Sequence, residues 1–280
     1  MLSSVVLFGL LSAVTWGAAD FSGGFSANKY SEFTVVVVSQ IIGGLFLIPT
    51  ALLFREQWPA WSDLFLAMFG GIFGAIGLLA LYRALADGPM GLVAPLAAMV
   101  SAILPLIFGL FIDGLPPLIK GIGILVALPA VWLISGGGSP GKINVPLKLL
   151  LLPVIAGAGF SIFFVTLDRM PPGSVFWPLF GARIASVTLF GAIGLYRGVL
   201  ERPKLEDIPV IGLAGIFDTL GNAFFTLSAQ SGRLDIAAVL SSLYPVSTMV
   251  LARYILQERS TWLQLLGAAI ALVAIVLIAL

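Results

Sequence analysis

Ten apolar segments, each close to the length that crosses a bilayer as a helix, follow one another along the chain with mostly short polar connections between them. They run over 3–25, 33–54, 63–86, 90–112, 117–135, 147–167, 174–197, 207–230, 236–256 and 261–280. A helix needs about 20 apolar residues to cross roughly 30 Å of hydrocarbon. Transmembrane β-strands would be about 10 residues of strict alternation, whereas these runs are longer and apolar on every face. Only 10% of the residues are charged, against about 25% on an ordinary soluble domain. A mean hydropathy of +1.12 completes the case for an all-α polytopic membrane protein. The first segment has no basic leader and is too long for a signal-peptide core, so it reads as a span.

The chain contains no Cys and no His. That removes disulfides, thiolate chemistry and the commonest metal ligand and proton shuttle. No cofactor and no metal are expected. The stretch Gly136-Gly137-Gly138-Ser139-Pro140-Gly141-Lys142 has the outline of a phosphate loop. Such a loop needs Ser or Thr next and a strand-to-helix setting; here Ile143 follows, between two spans. A linker over 136–146 is the better reading.

The two sides of that linker repeat each other. Residues 63–134 align with 207–278 at an offset of 144 without a gap. Asp63 falls on Asp207, Gly71-Ile72-Phe73 on Gly215-Ile216-Phe217, Gly77 on Gly221, Gly88 on Gly232 and Gly123 on Gly267. The earlier spans match near 142–143, Gly17 with Gly159 and Gln40-Ile41 with Arg183-Ile184. The expected organisation is a first five-helix repeat over 1–135 and a second over 147–280. Five spans per half is an odd number, so the second half enters the membrane upside down. Inverted repeats are a common transporter construction, with the site near the midplane between halves.

A charge at the bilayer centre costs at least about 2.5–3.5 kcal/mol and therefore faces protein or a cavity. Asp218 lies midway along span 8, with Asn222 and Thr226 following on the same helical face. This stripe reads either as a cavity lining, with Asp218 taking an amine or a proton, or as half of a buried ion pair with Arg183 of span 7. Ser12, Trp16 and Asp20 share a face of span 1, and Ser22-Gly23-Gly24 suggests a broken helix end there. Tyr82 occupies the repeat position of Thr226. Tyr244-Pro245 interrupts span 9, and Pro95 and Pro105 interrupt span 4 around Ser101; interrupted helices mark transporter sites. The candidate substrate-binding residues are Trp16, Asp20, Tyr82, Ser101, Asp218, Asn222, Thr226 and Tyr244. The glycines Gly70, Gly71, Gly74 and Gly77 make a small face on span 3 suited to close helix contact, as do Gly121 and Gly123 on span 5. Trp58, Trp61, Trp262 and Tyr30 read as interface anchors.

Trp16-Gly17 in span 1, Gly232 with Ser241-Ser242-Leu243-Tyr244-Pro245-Val246 in span 9, and Glu258-Arg259 with Gln264 and Gly267 at span 10 carry a resemblance over the whole length. The chain resembles the EamA-type members of the drug/metabolite transporter superfamily. It departs from them in Gln257, where similar chains have Gly, in Asp113-Gly114, which replaces the acidic motif of the first half, and in Gln40, where they often have Arg. The resemblance implies transport of metabolites or drugs, commonly amino-acid export, through a central cavity. Within it, spans 5 and 10 look like scaffold and spans 1, 3, 4, 6, 8 and 9 like cavity wall.

The expected function is secondary active transport of a small metabolite, amino acids first, by alternating access in a bacterial inner membrane. Multidrug or other metabolite transport or a uniporter is the alternative. A passive channel and an intramembrane enzyme rank below these. With few deep cations, a doubly charged sugar phosphate fits poorly. The partners expected are a small-molecule cargo, the bilayer and, as candidate coupling ion, the proton; nucleic acid is not among them, and the working unit is a monomer. Loops after odd spans hold nine Lys/Arg and the other loops four, which places both termini outside. The resemblance implies both termini inside.

Overall fold

In lipid, each backbone polar group must be satisfied within its own segment, so apolar spans become helices. The computed structural model describes residues 4–87, 90–134, 147–255 and 261–279, and among these every regular element is helical. The helices are α1 (Ser4–Ala27), α2 (Glu32–Leu53), α3 (Trp61–Asp87), α4 (Met90–Asp113), α5 (Leu118–Ile134), α6 (Leu147–Asp168), α7 (Phe176–Tyr196), α8 (Ile208–Gln230), α9 (Leu234–Ser241), α10 (Tyr244–Ile255) and α11 (Trp262–Ala279). Six of them, α1, α2, α3, α6, α7 and α8, are long and apolar enough to cross a membrane. Shorter apolar helical stretches at Leu96–Ile112, Leu118–Leu133, Leu234–Thr248 and Trp262–Ile278 bring the set to ten. The linker over 136–146, Gly88 and Glu258-Arg259 lie outside the described residues.

The helices pack across the repeat boundary more than within it. α1 lies along α8, and α3 along α6. α3 also meets α7 while α2 meets α8, α4 lies on α6 while α9 and α10 lie on α1, and α2·α7 and α5·α11 are self-paired. Exchanging the two halves maps this set of contacts onto itself. The glycines make the close approaches: Gly71 sits on Ala182, and its repeat mate Gly215 on Ser39. Gly77 faces Phe160, and its mate Gly221 faces Trp16. Gly70 faces Thr166 and Gly74 faces Phe163, so the small face of α3 receives α6 and α7. Gly123 abuts Ile278, but Gly121 meets no other helix.

The direction of the helices follows from the same contacts. Ser228 Oγ donates to the carbonyl of Val5 at 2.7 Å and Ser12 Oγ to that of Gly221 at 2.9 Å, so α1 and α8 run antiparallel. Gly70–Thr166, Gly74–Phe163 and Gly77–Phe160 give the same sense for α3 and α6. Since α1 and α3 are separated by one crossing, α6 runs opposite to α1 and α8 opposite to α3: the second repeat is inverted.

Three local expectations are corrected. α1 continues through Ser22-Gly23-Gly24 to Ala27; Gly23 is there because the Tyr82 ring rests on it. α4 is continuous through Pro95 and Pro105. Pro105 cannot bond the carbonyl of Ser101 one turn back; Ser161 Oγ lies 3.3 Å from that carbonyl, but its shortest bond is to the carbonyl of Gly157 on its own helix, at 2.8 Å. Span 9 does break, but at Ser242-Leu243, one residue before the Tyr244-Pro245 pair that starts α10.

Both ends of the bundle are tied across the halves by carboxylates. Nothing on Val175 caps α7, and a helix start leaves its N–H groups orphaned. Glu56, in the α2–α3 connection, accepts from the N–H groups of Phe176 at 2.7 Å and Trp177 at 3.0 Å. At the opposite end Glu201, in the α7–α8 connection, accepts from the N–H of Ser31, the N-cap of α2, at 3.1 Å. The two caps occupy similar places in the two halves: 56 and 201, like 31 and 176, lie 145 residues apart, close to the offsets of 142–144 that align the spans. Asp207 reinforces the second clasp, accepting from Lys29 Nζ at 2.8 Å and Tyr30 OH at 2.7 Å. The Lys29 and Tyr30 bonds hold the Asp207 carboxyl below its usual range. The same bonds push the Lys29 ammonium and the Tyr30 phenol up.

Candidate functional site

A cavity lined by residues of both halves lies at mid-helix depth. Its polar wall is one network. Arg183 Nη2 donates to Asp218 Oδ2 at 2.8 Å and Nη1 to Gln40 Oε1 at 2.6 Å. Gln40 Nε2 donates to the same Asp218 oxygen at 3.2 Å, and Ser186 Oγ to Gln40 Oε1 at 3.2 Å. Asn222 Nδ2 donates to Asp218 Oδ1 at 3.2 Å. Arg183 and Asp218 are thus a buried pair, their side chains 7% and 14% exposed, supported by the amides of Gln40 and Asn222, while Arg183 Nε has no partner among the described residues. Such a pair survives desolvation only with this kind of support. Gln40 and Arg183 are repeat mates, so the network sits where α2 and α7 meet across the pseudo-two-fold.

Another part of the lining is aromatic. Phe160, Phe163 and Phe164 of α6 line it together with Trp16 of α1. Trp16 stacks on Phe164 with centroids 4.9 Å apart, and Phe164 lies 4.4 Å from Phe225. Gly221 leaves the space that the indole fills.

Six of the eight sequence candidates, Trp16, Asp20, Ser101, Asp218, Asn222 and Tyr244, line this one cavity. Tyr82 and Thr226 are not in its wall: both are fully buried. Thr226 Oγ1 is turned onto its own helix, donating to the carbonyl of Asn222 at 2.8 Å. Tyr82 is packed onto Gly23, and its hydroxyl has no partner among the described residues. Asp218 faces the cavity and pairs with Arg183 at once, so the two sequence readings of it are not exclusive. Gln40 is a wall residue that sequence reasoning passed over, as are spans 2 and 7 that supply Gln40 and Arg183. The signal was present in the alignment of Gln40 with Arg183, a polar pair at one repeat position in two apolar spans.

Known proteins place this geometry. The model of the EamA-like transporter family matches residues 3–136 and again 145–280. Over 138 residues the chain is 28% identical to the uncharacterized transporter YyaM of Bacillus subtilis, covering 49% of this chain and 44% of that protein. Over 93 residues it is 34% identical to a probable terminal-alkyne amino-acid exporter of Streptantibioticus cattleyicolor, covering 32% of this chain and 30% of the other. The aligned regions thus span less than half the length of either relative. A solved crystal structure superposes with a TM-score of 0.75 over 98% of this chain and 96% of its own, at 19% identity, a likeness of fold. With two family matches that together cover nearly all of its length, the chain is an integral membrane protein and belongs to the EamA-like transporter family.

Proposed function

We propose that the protein is a secondary transporter that moves a small metabolite, amino acids first, out of a bacterial cell through this cavity by alternating access. The observation that carries the reading is a mid-depth cavity walled by both inverted repeats, with polar and aromatic residues in its lining. An amino acid offers charged groups to the first and an apolar side chain to the second. The carboxylate clasps at the two ends, at similar places in the two halves, are the kind of bistable contact that opens on one face as it closes on the other. The similarity to a protein named as an amino-acid exporter supports the cargo class. The proposed working unit is one chain in the bilayer, since one chain supplies the whole wall.

Reconstitution tests this. Purified protein in sealed vesicles preloaded with unlabelled L-leucine should accumulate labelled L-leucine by counterflow, which a channel cannot do. Absence of counterflow for every amino acid tried would overturn the cargo class, and equal flux without preloading would point to a passive pore.

A further inference from the structure

Asp20 is the one lining acid whose charge is unmatched. Arg183 is already held by Asp218 and Gln40, whereas no donor among the described residues hydrogen-bonds the Asp20 carboxylate. Its residue is only 8% exposed, and that exposure is to the cavity. Two carboxylates and one guanidinium therefore line the cavity. A carboxylate at this depth is not left bare: it holds a proton or a cation. The offsets that align span 1 with span 6 set Ile162 and Phe163 against Asp20, so the repeat itself does not require an acid there. The first half supplies a negative pole and the second supplies Phe160, Phe163 and Phe164 across the same space.

We infer that Asp20 is the ammonium site of the cargo and that a proton replaces the cargo there, making the protein an exchanger of apolar-tailed amines against protons. The inference rests on the transport reading above and goes beyond it in naming the recognised group and the coupling. On the face where the cavity is open, the Asp20 carboxyl releases its proton to water, and the carboxylate accepts hydrogen bonds from the entering ammonium. On the other face the ammonium leaves and the carboxylate takes a proton from that side. One carboxylate neutralises one cation, so the two occupancies exclude each other. The groups that face Asp20 from its neighbours are Asp218 of α8, Tyr244 of α10 and, across the cavity, Arg183 of α7. Tyr82 of α3 stands behind it against Gly23. α2 brings the uncharged Gln40, α11 has no charged residue, and Asp235 of α9 is engaged by Arg233 at the bundle end.

The test is binding of 3-methylbutylammonium to purified wild type, Asp20→Asn and Asp20→Glu across the acidic and neutral range, with 4-methylpentanoate as the matched anion. Wild-type affinity for the amine should rise by up to about tenfold per pH unit while the carboxyl titrates, with no binding of the anion. Asp20→Asn should lose tenfold or more in affinity and the slope with it; Asp20→Glu should keep the slope. Melting temperatures without ligand show whether each variant is folded. Binding by Asp20→Asn with wild-type affinity and slope overturns the inference, as does a wild type that binds the anion in preference or does not bind the amine. Should L-leucine counterflow persist in any of those cases, transport stands and only the Asp20 exchange fails; should counterflow fail as well, the transport reading falls with it.

Discussion

Asp218→Asn isolates the central ion pair. Both Asp218 oxygens accept: Oδ2 from Arg183 and Gln40, Oδ1 from Asn222. An asparagine has one acceptor, so its amide must point a donor at another donor, and Arg183 keeps its charge in a site only 7% exposed. Stranding one partner of a buried pair costs about 3–5 kcal/mol. The 14% exposure of Asp218 admits some solvation from the cavity, which places the expected loss near the lower end, about 3 kcal/mol. At roughly 2–4 °C per kcal/mol for a chain of comparable size, the melting temperature in detergent should fall by about 6–12 °C. Arg183→Gln should fall similarly, because it strands Asp218. The double variant should recover most of the loss, since it removes both charges. Thermal unfolding of the four proteins gives the coupling directly. Losses that simply add in the double variant would refute the pairing as the reason for the cost.

Other expectations follow from particular contacts. Gly71→Ala would drive a methyl into the Ala182 backbone of α7 and should destabilise by about 1–3 kcal/mol. Gly191→Ala, in open space on the same α7, should be neutral or gain about 0.5–1 kcal/mol; melting temperatures separate the two. Glu56→Gln and Asp207→Asn should loosen opposite ends, read as increased thiol labelling of cysteines placed beside each clasp. The Asp207 clasp has a defined pH window. A depressed carboxyl stabilises the closed end above its ordinary value of 3.8 and loses that contribution as pH falls through the lower folded value. The raised Lys29 contributes below 10.5 and loses its contribution as pH rises through the higher folded value. Labelling at that end should therefore be least between those limits and rise outside them.

Span number and the inversion were readable because they rest on two robust patterns, apolar length and glycine spacing. A glycine at a helix crossing has no substitute, so Gly71 and Gly215 preserve the repeat where aliphatic residues drift. The Asp218–Asn222 stripe was readable because a charge in an apolar span must face something. What sequence could not supply was rotation about the helix axis. Tyr82 and Thr226 share a repeat position, and both turn away from the cavity, one onto Gly23 and one onto its own backbone. Proline was over-read in span 4, where the helix runs on through both residues, and read correctly in kind in span 9, where the helix breaks one residue earlier. The Glu56 and Glu201 clasps were invisible: each acid lies in a connection, and only the fold brings it to the start of a helix in the other half.

The most direct measurement uses the absence of cysteine from this chain. Ser101 is 3% exposed and lines the cavity, and serine to cysteine changes little in size. In sealed vesicles of known orientation, Ser101→Cys is treated with a membrane-impermeant thiol reagent from one side or the other, with leakage of an entrapped dye measured in parallel. Modification from both sides without leakage is the expected result, since the cavity must reach each face in turn and never both together. Modification from one side only, or from neither, would contradict alternating access through this cavity.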